Sequence, residues 1–399
     1  MKNEKFIPVC EPTLIGNEAK YVNDCLKTNW ISSSGKYIEM FENGFAKYCD
    51  TKYGIATCNG TVSIHLALEA LGLGPGDEVI VPDFTMIASV NSILYTGAKP
   101  VFVDADIETW CISPKLIDEK ITKKTKAIVP VHIYGHPCDM DPINKIAKKH
   151  NLYVVEDAAE AHGALYKNKK TGSLSNAASF SFYANKIMTA GEGGIVVTND
   201  EKLAERMRLL KNHAFTKNRF THEEVGYNYR MTNIQAAIGL GQLENIEKLI
   251  QMRINNANLY NKLLKNVKGV ILPPSKDWAK NVYWMYGVLL NEEFGMPRDR
   301  LREELLKEGV DTRSFFIPSH NQPMFEKPKK TEGFWGTKNP RDFLVKSKKF
   351  SMPDISGKYP VSENLGANGF YLPSSSHLPR EDITYITDTI KKIKDNTKN

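Results

Sequence analysis

The stretch Ala177-Ala178-Ser179-Phe180-Ser181-Phe182-Tyr183-Ala184-Asn185-Lys186, with Gly191-Glu192-Gly193-Gly194 shortly after it, decides the fold of this chain. The apolar run over 177–183 predicts a strand, and the glycines after it let the backbone turn tightly and approach a neighbour closely. A β-branched run at 194–198 predicts the next strand. Between the two stands a single amine, Lys186. An ordinary lysine is solvated, with a pKa of about 10.4. At the end of an apolar run the amine can instead be desolvated and held neutral, the state in which lysines condense with carbonyls. On this stretch alone a strand-end lysine beside a tight turn remains an equal alternative.

On either side of it, short β-branched runs alternate with longer helical patterns, the signature of a mainly parallel sheet covered by helices. Strands are expected at 53–57, 78–81, 100–103, 127–131, 152–156, 178–182 and 194–198. A helix over 61–71 carries Ile64, Leu68 and Leu71 on one face, and a helix over 233–252 carries Ile234, Ile238, Ile246 and Ile250. The second is a candidate connection between two domains. Beyond it the pattern predicts a further helix, strand-like runs at 269–272 and 283–290, and a helix beginning near Arg298. The expected fold class is therefore α/β. A large domain over 1–250 holds a mostly parallel seven-stranded sheet, and a smaller C-terminal α/β domain covers 251–399. The N-terminal segment is free to pack on the small domain. Residues 326–361 are rich in Lys, Pro, Gly and Ser and predict a long loop.

The composition excludes several classes. With 399 residues, 41% hydrophobic and 25% charged, the chain can bury a large two-domain core. No apolar run approaches the roughly 20 residues that span a bilayer, and the N-terminus lacks a signal-peptide pattern, so no membrane association and a cytoplasmic location are expected. Cys10, Cys25, Cys49, Cys58, Cys111 and Cys138 are scattered without a CxxC pair or a Cys/His cluster. That predicts neither a metal site nor a disulfide framework. The net charge of +7 is dispersed and no nucleic-acid-binding module is recognisable, so no nucleic-acid partner is expected.

Three further strand ends give the lysine company. Asp157 and Glu160 lie in Glu156-Asp157-Ala158-Ala159-Glu160-Ala161-His162-Gly163, just past the expected strand 152–156, where ligands of open α/β sheets bind. An aspartate beneath a pyridine ring holds the ring nitrogen protonated and makes the ring an electron sink; the alternative role for Asp157 is to cap the following turn. Cys58-Asn59-Gly60-Thr61 joins a strand to a helix start, where backbone N–H groups and the Thr61 hydroxyl suit a phosphate, with Ser181 able to add a second hydroxyl. Asn-Gly-Thr also reads as a turn and N-cap. Phe84, in Val81-Pro82-Asp83-Phe84-Thr85, is a candidate to stack on a flat ring or a plain core residue. Together these are the parts of a pyridoxal 5'-phosphate site.

The chain resembles the DegT-type sugar aminotransferases, pyridoxal-phosphate enzymes of the aspartate-aminotransferase fold (fold type I) that act on nucleotide-linked keto sugars. The shared marks are Asn29-Trp30-Ile31-Ser32-Ser33-Ser34-Gly35, Asn59-Gly60-Thr61, Tyr134-Gly135-His136-Pro137, Glu156-Asp157-Ala158-Ala159, Ser179-Phe180-Ser181 with Lys186, Gly191-Glu192-Gly193-Gly194 and Gly226-Tyr227-Asn228-Tyr229-Arg230-Met231. The resemblance implies that Lys186 holds the cofactor as a Schiff base, Asp157 pairs with the pyridine nitrogen and Glu160 lies near the ring hydroxyl. It implies that Phe84 covers the ring, and that Gly60, Thr61 and Ser181 hold the phosphate. Asn228 would reach that phosphate from the neighbouring subunit of a homodimer with shared active sites. Arg230, Arg313 and His320 would face the substrate. Arg313-Ser314-Phe315-Phe316-Ile317-Pro318 with His320 and Pro323-Met324 is similar to the members that aminate carbon 4 of a GDP-linked 4-keto-6-deoxymannose, using L-glutamate as donor. Open alternatives are a UDP- or dTDP-linked sugar, amination at carbon 3, and a non-catalytic cofactor-binding regulator. A dehydratase branch carries histidine in place of the lysine, so Lys186 counts against it.

Overall fold

The computed structural model describes residues 5–218, 220–325 and 351–397. Its main sheet consists of β1 (Tyr53–Thr57), β2 (Glu78–Pro82), β3 (Lys99–Val103), β4 (Thr125–Ile128), β5 (Tyr153–Asp157), β6 (Ala177–Ser181) and β7 (Gly194–Thr198). The spatial order is β1-β7-β6-β5-β4-β2-β3. Only β7 runs against its neighbours, so the sheet is mostly parallel, as the sequence predicts.

Alternation along each strand divides the core in two. Ala56, Ile80, Ile128, Val154, Ala178, Ile195 and Val197 face one side, where Phe41, Phe45 and Phe180 pack. Ile55, Val79, Val81, Ala127, Val155, Ala177 and Val196 face the other, beneath the helices Gly60–Ala70, Ile87–Tyr95 and Glu201–Leu210. Burial on both faces is why these strands read as continuous apolar runs.

Strand ends differ from expectation by a few residues, with local causes. β4 stops at Ile128 instead of 131. Val129 still donates its N–H to Ile80 O (2.8 Å), but Pro130 has no N–H to continue the ladder. The helix expected over 233–252 is two helices, Asn233–Leu243 and Ile246–Leu264. They break where Asn245 turns out of helical geometry and its side-chain Nδ2 donates to Gly241 O (3.2 Å), while Glu244 accepts from Asn17 and Tyr21 of the N-terminal segment.

The second of these helices joins two cores. Its Leu249 and Ile250 belong to the core beside the main sheet, and its Tyr260 and Leu264 to a third cluster with Val288, Leu301, Phe370 and Ile386. That cluster underlies a four-stranded antiparallel sheet in the order Val270–Ile271, Tyr286–Leu290, Gly369–Leu372, Arg313–Ser314. Ile7 bridges in parallel to Val310 on its flank. Of the loop expected over 326–361, residues 326–350 lie outside the described residues. The rest leads into the helix Pro360–Asn368, whose first amides, Val361 and Ser362, donate to Asp104 (3.0 and 2.8 Å). Among the described residues no helix is long and apolar enough to cross a membrane.

Candidate active site

Because all main-sheet strands except β7 share one direction, the carboxyl ends of β1, β2, β5 and β6 meet along one edge. The segments that follow them line a single cavity of about 710 Å³. Asn59, Gly60 and Thr61 follow β1, Thr85 and Met86 follow β2, Asp157 closes β5 with Ala159 and Glu160 after it, and Ser181 and Lys186 end or follow β6. Five separate pieces of the predicted site (Gly60/Thr61, Asp157, Glu160, Ser181 and Lys186) are thus brought together.

The charged centre is three buried groups. The Lys186 Nζ lies 4.0 Å from Glu160 Oε1, with side chains only 11% and 4% exposed. Burial pulls the lysine's proton affinity below that of an ordinary amine, against the opposing pull of Glu160 and Asp157. Burial pushes the Glu160 carboxyl up, with the lysine charge and the Tyr134 N–H, which donates to Glu160 Oε2 at 2.7 Å, working the other way. Asp157 is held by two donors: the Ser89 hydroxyl to Oδ2 (2.6 Å) and the Ala159 N–H to Oδ1 (3.1 Å). One residue earlier, the alternation of β5 sends Glu156 away from the cavity. It accepts from Gly172 N, Leu174 N and the Ser175 hydroxyl and pairs with His132 Nε2 at 3.0 Å, anchoring the strand from beneath.

At the other end of the cavity stands the start of the helix Gly60–Ala70. Asn59 caps it, its side chain accepting from Val62 N at 3.0 Å. The Gly60 backbone passes so close to β6 that a Cβ there would sit 2.6 Å from Ser181 Cβ. Helix-start amides, the Thr61 hydroxyl and the Ser181 hydroxyl consequently gather at one spot suited to an anion.

The wall opposite the main sheet is aromatic: Trp284, Phe316 and Tyr371 come from the second sheet and its approaches. The Lys186 Nζ lies 3.7 Å from the Trp284 ring centroid. Sequence reasoning missed these three, together with Ser89 and Met86. Ser89 carried no local signal, because its partner Asp157 is 68 residues away. Met86 had one, since it is two residues past the aromatic singled out at the same strand end.

The remaining predicted residues do not line this cavity. Phe84 is fully buried and packs on Tyr134, Phe315 and Phe316, while Met86, 49% exposed, lines the cavity from the same segment. The chain turns after Pro82, and that turn sends the phenylalanine into the core. His320 is buried against Asp83, with Nδ1 2.7 Å from Oδ2, and stacks on Tyr359. Arg313 is half exposed and pairs with Asp311. Asn228 lies on the surface of this chain, bridged to Asn212. Arg230 donates to Asn212 Oδ1 (2.7 Å) in a separate depression that also holds Ser33, Ser34, Arg208 and Lys211.

Comparison with known proteins gives a consistent result. Residues 12–339 match the DegT/DnrJ/EryC1/StrS aminotransferase family. The chain is 49% identical over 389 residues to a GDP-perosamine synthase of Caulobacter vibrioides and 45% identical over 389 residues to one of Escherichia coli O157:H7. Both alignments cover 97% of this chain and 98% of the relative. Among solved structures, the PLP form of a putative sugar aminotransferase from Streptococcus pneumoniae superposes with a TM-score of 0.86 at 26% identity, covering 98% of this chain and all of that one.

Proposed function

The chain belongs to the DegT/DnrJ/EryC1/StrS aminotransferase family, and from that premise we propose that it uses pyridoxal 5'-phosphate to move the amino group of L-glutamate to carbon 4 of GDP-4-keto-6-deoxy-D-mannose, giving GDP-perosamine. The observation that carries the chemistry is the buried Lys186 amine, 4.0 Å from Glu160 in a cavity shared with Asp157 and an anion-binding helix start. The sugar assignment rests on the near-full-length similarity to GDP-perosamine synthases.

The residues fit the cofactor. A phosphate suits the amides at Gly60 and Thr61 with the two hydroxyls, and the tight Gly60–Ser181 approach is what brings the helix start against the Ser181 side chain. Asp157, its two oxygens already oriented by Ser89 and Ala159, would face the ring nitrogen, and Lys186 would hold the aldehyde carbon. Met86 occupies the cavity wall where a ring-covering group belongs, a better candidate than the buried Phe84. When bound, the cofactor supplies an electron sink for charge developing at the amino acid's α-carbon.

The chain's own groups do the rest. Asp157 keeps a positive charge at the ring nitrogen favourable. Lys186, its proton affinity lowered by burial, takes the proton from the glutamate α-carbon as general base and returns one as general acid when the sugar is aminated. The aromatic wall of Trp284, Phe316 and Tyr371 keeps bulk water from the amine. Asn228, exposed on this chain, is available to a second copy, and a homodimer with shared sites is part of the proposal. Ping-pong kinetics follow from two half-reactions on one amine carrier.

The test is amination of a panel of GDP-, UDP- and dTDP-linked 4-keto-6-deoxy sugars with nitrogen-15 L-glutamate. Label at carbon 4 of the GDP-linked mannose derivative is expected. Reaction of only a UDP- or dTDP-linked sugar, or label at carbon 3, would overturn the sugar assignment and leave the aminotransferase reading standing.

A further inference from the structure

Trp284 is fixed from several directions. Its indole N–H donates to Asn185 O at 2.8 Å, in the residue that precedes the reactive lysine. Its own carbonyl accepts from Arg253, a guanidinium only 3% exposed that also donates to Ser374 O (2.6 Å) and the Ser376 hydroxyl (3.1 Å). The Trp284 ring stacks on Tyr134 (centroids 6.2 Å apart, planes at 24°), and Tyr134 N donates to Glu160. Gly135, at φ +101°, has room for no Cβ, because one would meet the Tyr283 and Trp284 amides at 2.8 and 2.9 Å. A second tie runs through Cys10, whose Sγ lies 3.5 Å from both Asn185 O and Arg253 Nη2. The helix Ile246–Leu264, the approach to the second sheet and the N-terminal segment therefore converge on the Asn185–Lys186 turn.

Among the described residues Arg253 pairs with no carboxylate; main-chain carbonyls, a hydroxyl and a thiol satisfy it. Taking a guanidinium out of water without a counter-charge is costly unless its donors are held in one hydrogen-bonded geometry. Here that geometry fixes the tryptophan backbone. The tryptophan in turn fixes the lysine turn with its N–H and closes the amine's outer side with its ring.

We propose that Trp284 is a positioning residue for Lys186: its N–H pins the Asn185 carbonyl, and its ring face confines the amine to the Glu160 side of the cavity and keeps water from it. This deepens the reading of Lys186 as the reactive amine and rests on it. Besides Glu160 and Asp157 from the β5 end, the titratable or charged groups around that amine are Cys10 from the N-terminal segment, Arg253 from the helix, the buried His162, whose ring burial keeps neutral, and the phenols of Tyr134 and Tyr371, whose pKa values burial raises.

The experiment needs no turnover for its main readout. Full-length wild type, W284F, W284L and K186A are purified in the cofactor-free form and acylated with an amine-reactive ester across pH 6 to 10, and modification of Lys186 is followed by peptide mass spectrometry. W284L, which opens the amine to water and frees the turn, is expected to move the Lys186 midpoint up toward an ordinary lysine, the gain in hydration outweighing the lost attraction of the ring face for the ammonium. W284F keeps the ring but not the donor. It is expected to hold the midpoint within a few tenths of a unit while lowering kcat about tenfold at unchanged KM for glutamate, the value of one hydrogen bond. A W284L midpoint within a few tenths of wild type, or W284F with wild-type kcat, overturns the proposal. K186A reports separately: if it still turned over repeatedly, the reading of Lys186 itself would fail, whatever the tryptophan variants did.

Discussion

The Lys186 Nζ and Glu160 Oε1 lie 4.0 Å apart in a shared cavity, each taken out of water. Burial raises the Glu160 carboxyl, so its protonated form is favoured in the folded state. A carboxyl raised in this way contributes stability that is present below its unfolded value of about 4.3 and is lost as pH rises through the folded value. A glutamine in its place would keep an acceptor for the Tyr134 N–H without that loss. E160Q in the cofactor-free protein is therefore expected to match wild type near pH 4 and to melt higher near pH 8. Thermal denaturation at the two pH values checks it, and a gap that shrinks as pH rises would contradict it.

Asp157 and Ser89 act as a unit, because the serine donates to the oxygen opposite the one that Ala159 holds. D157N removes the charge that keeps a ring nitrogen protonated and is expected to lower kcat by about a hundredfold or more, roughly 2.7 kcal/mol. S89A leaves the charge and removes one hydrogen bond to it, so a loss of about tenfold is expected. Steady-state kinetics with glutamate distinguish the two. Equal losses would mean that orientation alone, without charge, matters.

The Gly60–Ser181 approach makes the anion site sensitive to a single methyl group. In G60A the new Cβ would press on Ser181 Cβ at 2.6 Å, forcing backbone apart at a cost of about 1–3 kcal/mol. T61A deletes one hydroxyl without crowding. Equilibrium dialysis is expected to show cofactor affinity weakened by about tenfold in T61A and by more in G60A. Unchanged affinity in both would remove the phosphate from this end of the cavity.

His320 is held by Asp83 rather than facing the cavity. Burial alone would lower its proton affinity, but the hydrogen bond and charge of Asp83, helped by Glu363, raise it overall. Stability from a histidine raised in this way is fully present below its unfolded value of about 6.5 and fades as pH rises through the folded value. H320N is expected to lose stability most at pH 6, with a smaller deficit at pH 8.5, and to change KM for the sugar less than twofold. A large KM effect with an unchanged melting curve would return His320 to the substrate.

Much of this site was legible because its parts sit at the ends of strands that are buried on both faces, where β-branched runs announce the strand and the next few residues announce the loop. Lys186, Asp157, Glu160, Gly60, Thr61 and Ser181 stand at such ends, and all six line the one cavity. Phe84 shows the limit. After Pro82 the strand alternation ends, and without it nothing in the sequence says which side a side chain takes. Met86, two residues later, is the one that lines the cavity. Trp284 was invisible for a different reason. It meets Asn185 across 99 residues of chain, and its hold on the site depends on how the second sheet packs against the first. No local pattern encodes that packing. The helix expected over 233–252 read as one because apolar spacing continued through it, whereas the break at Asn245 is set by contacts with the N-terminal segment.

Every step of the proposed reaction depends on Lys186 as the amine that binds the carbonyl cofactor. Hydride reduction of the protein loaded with pyridoxal 5'-phosphate, followed by proteolysis and mass spectrometry, tests it directly. One stoichiometric pyridoxyl adduct is expected on the peptide containing Lys186, lost after prior addition of L-glutamate. An adduct on a different lysine, or spread over several with none dominant, would contradict it.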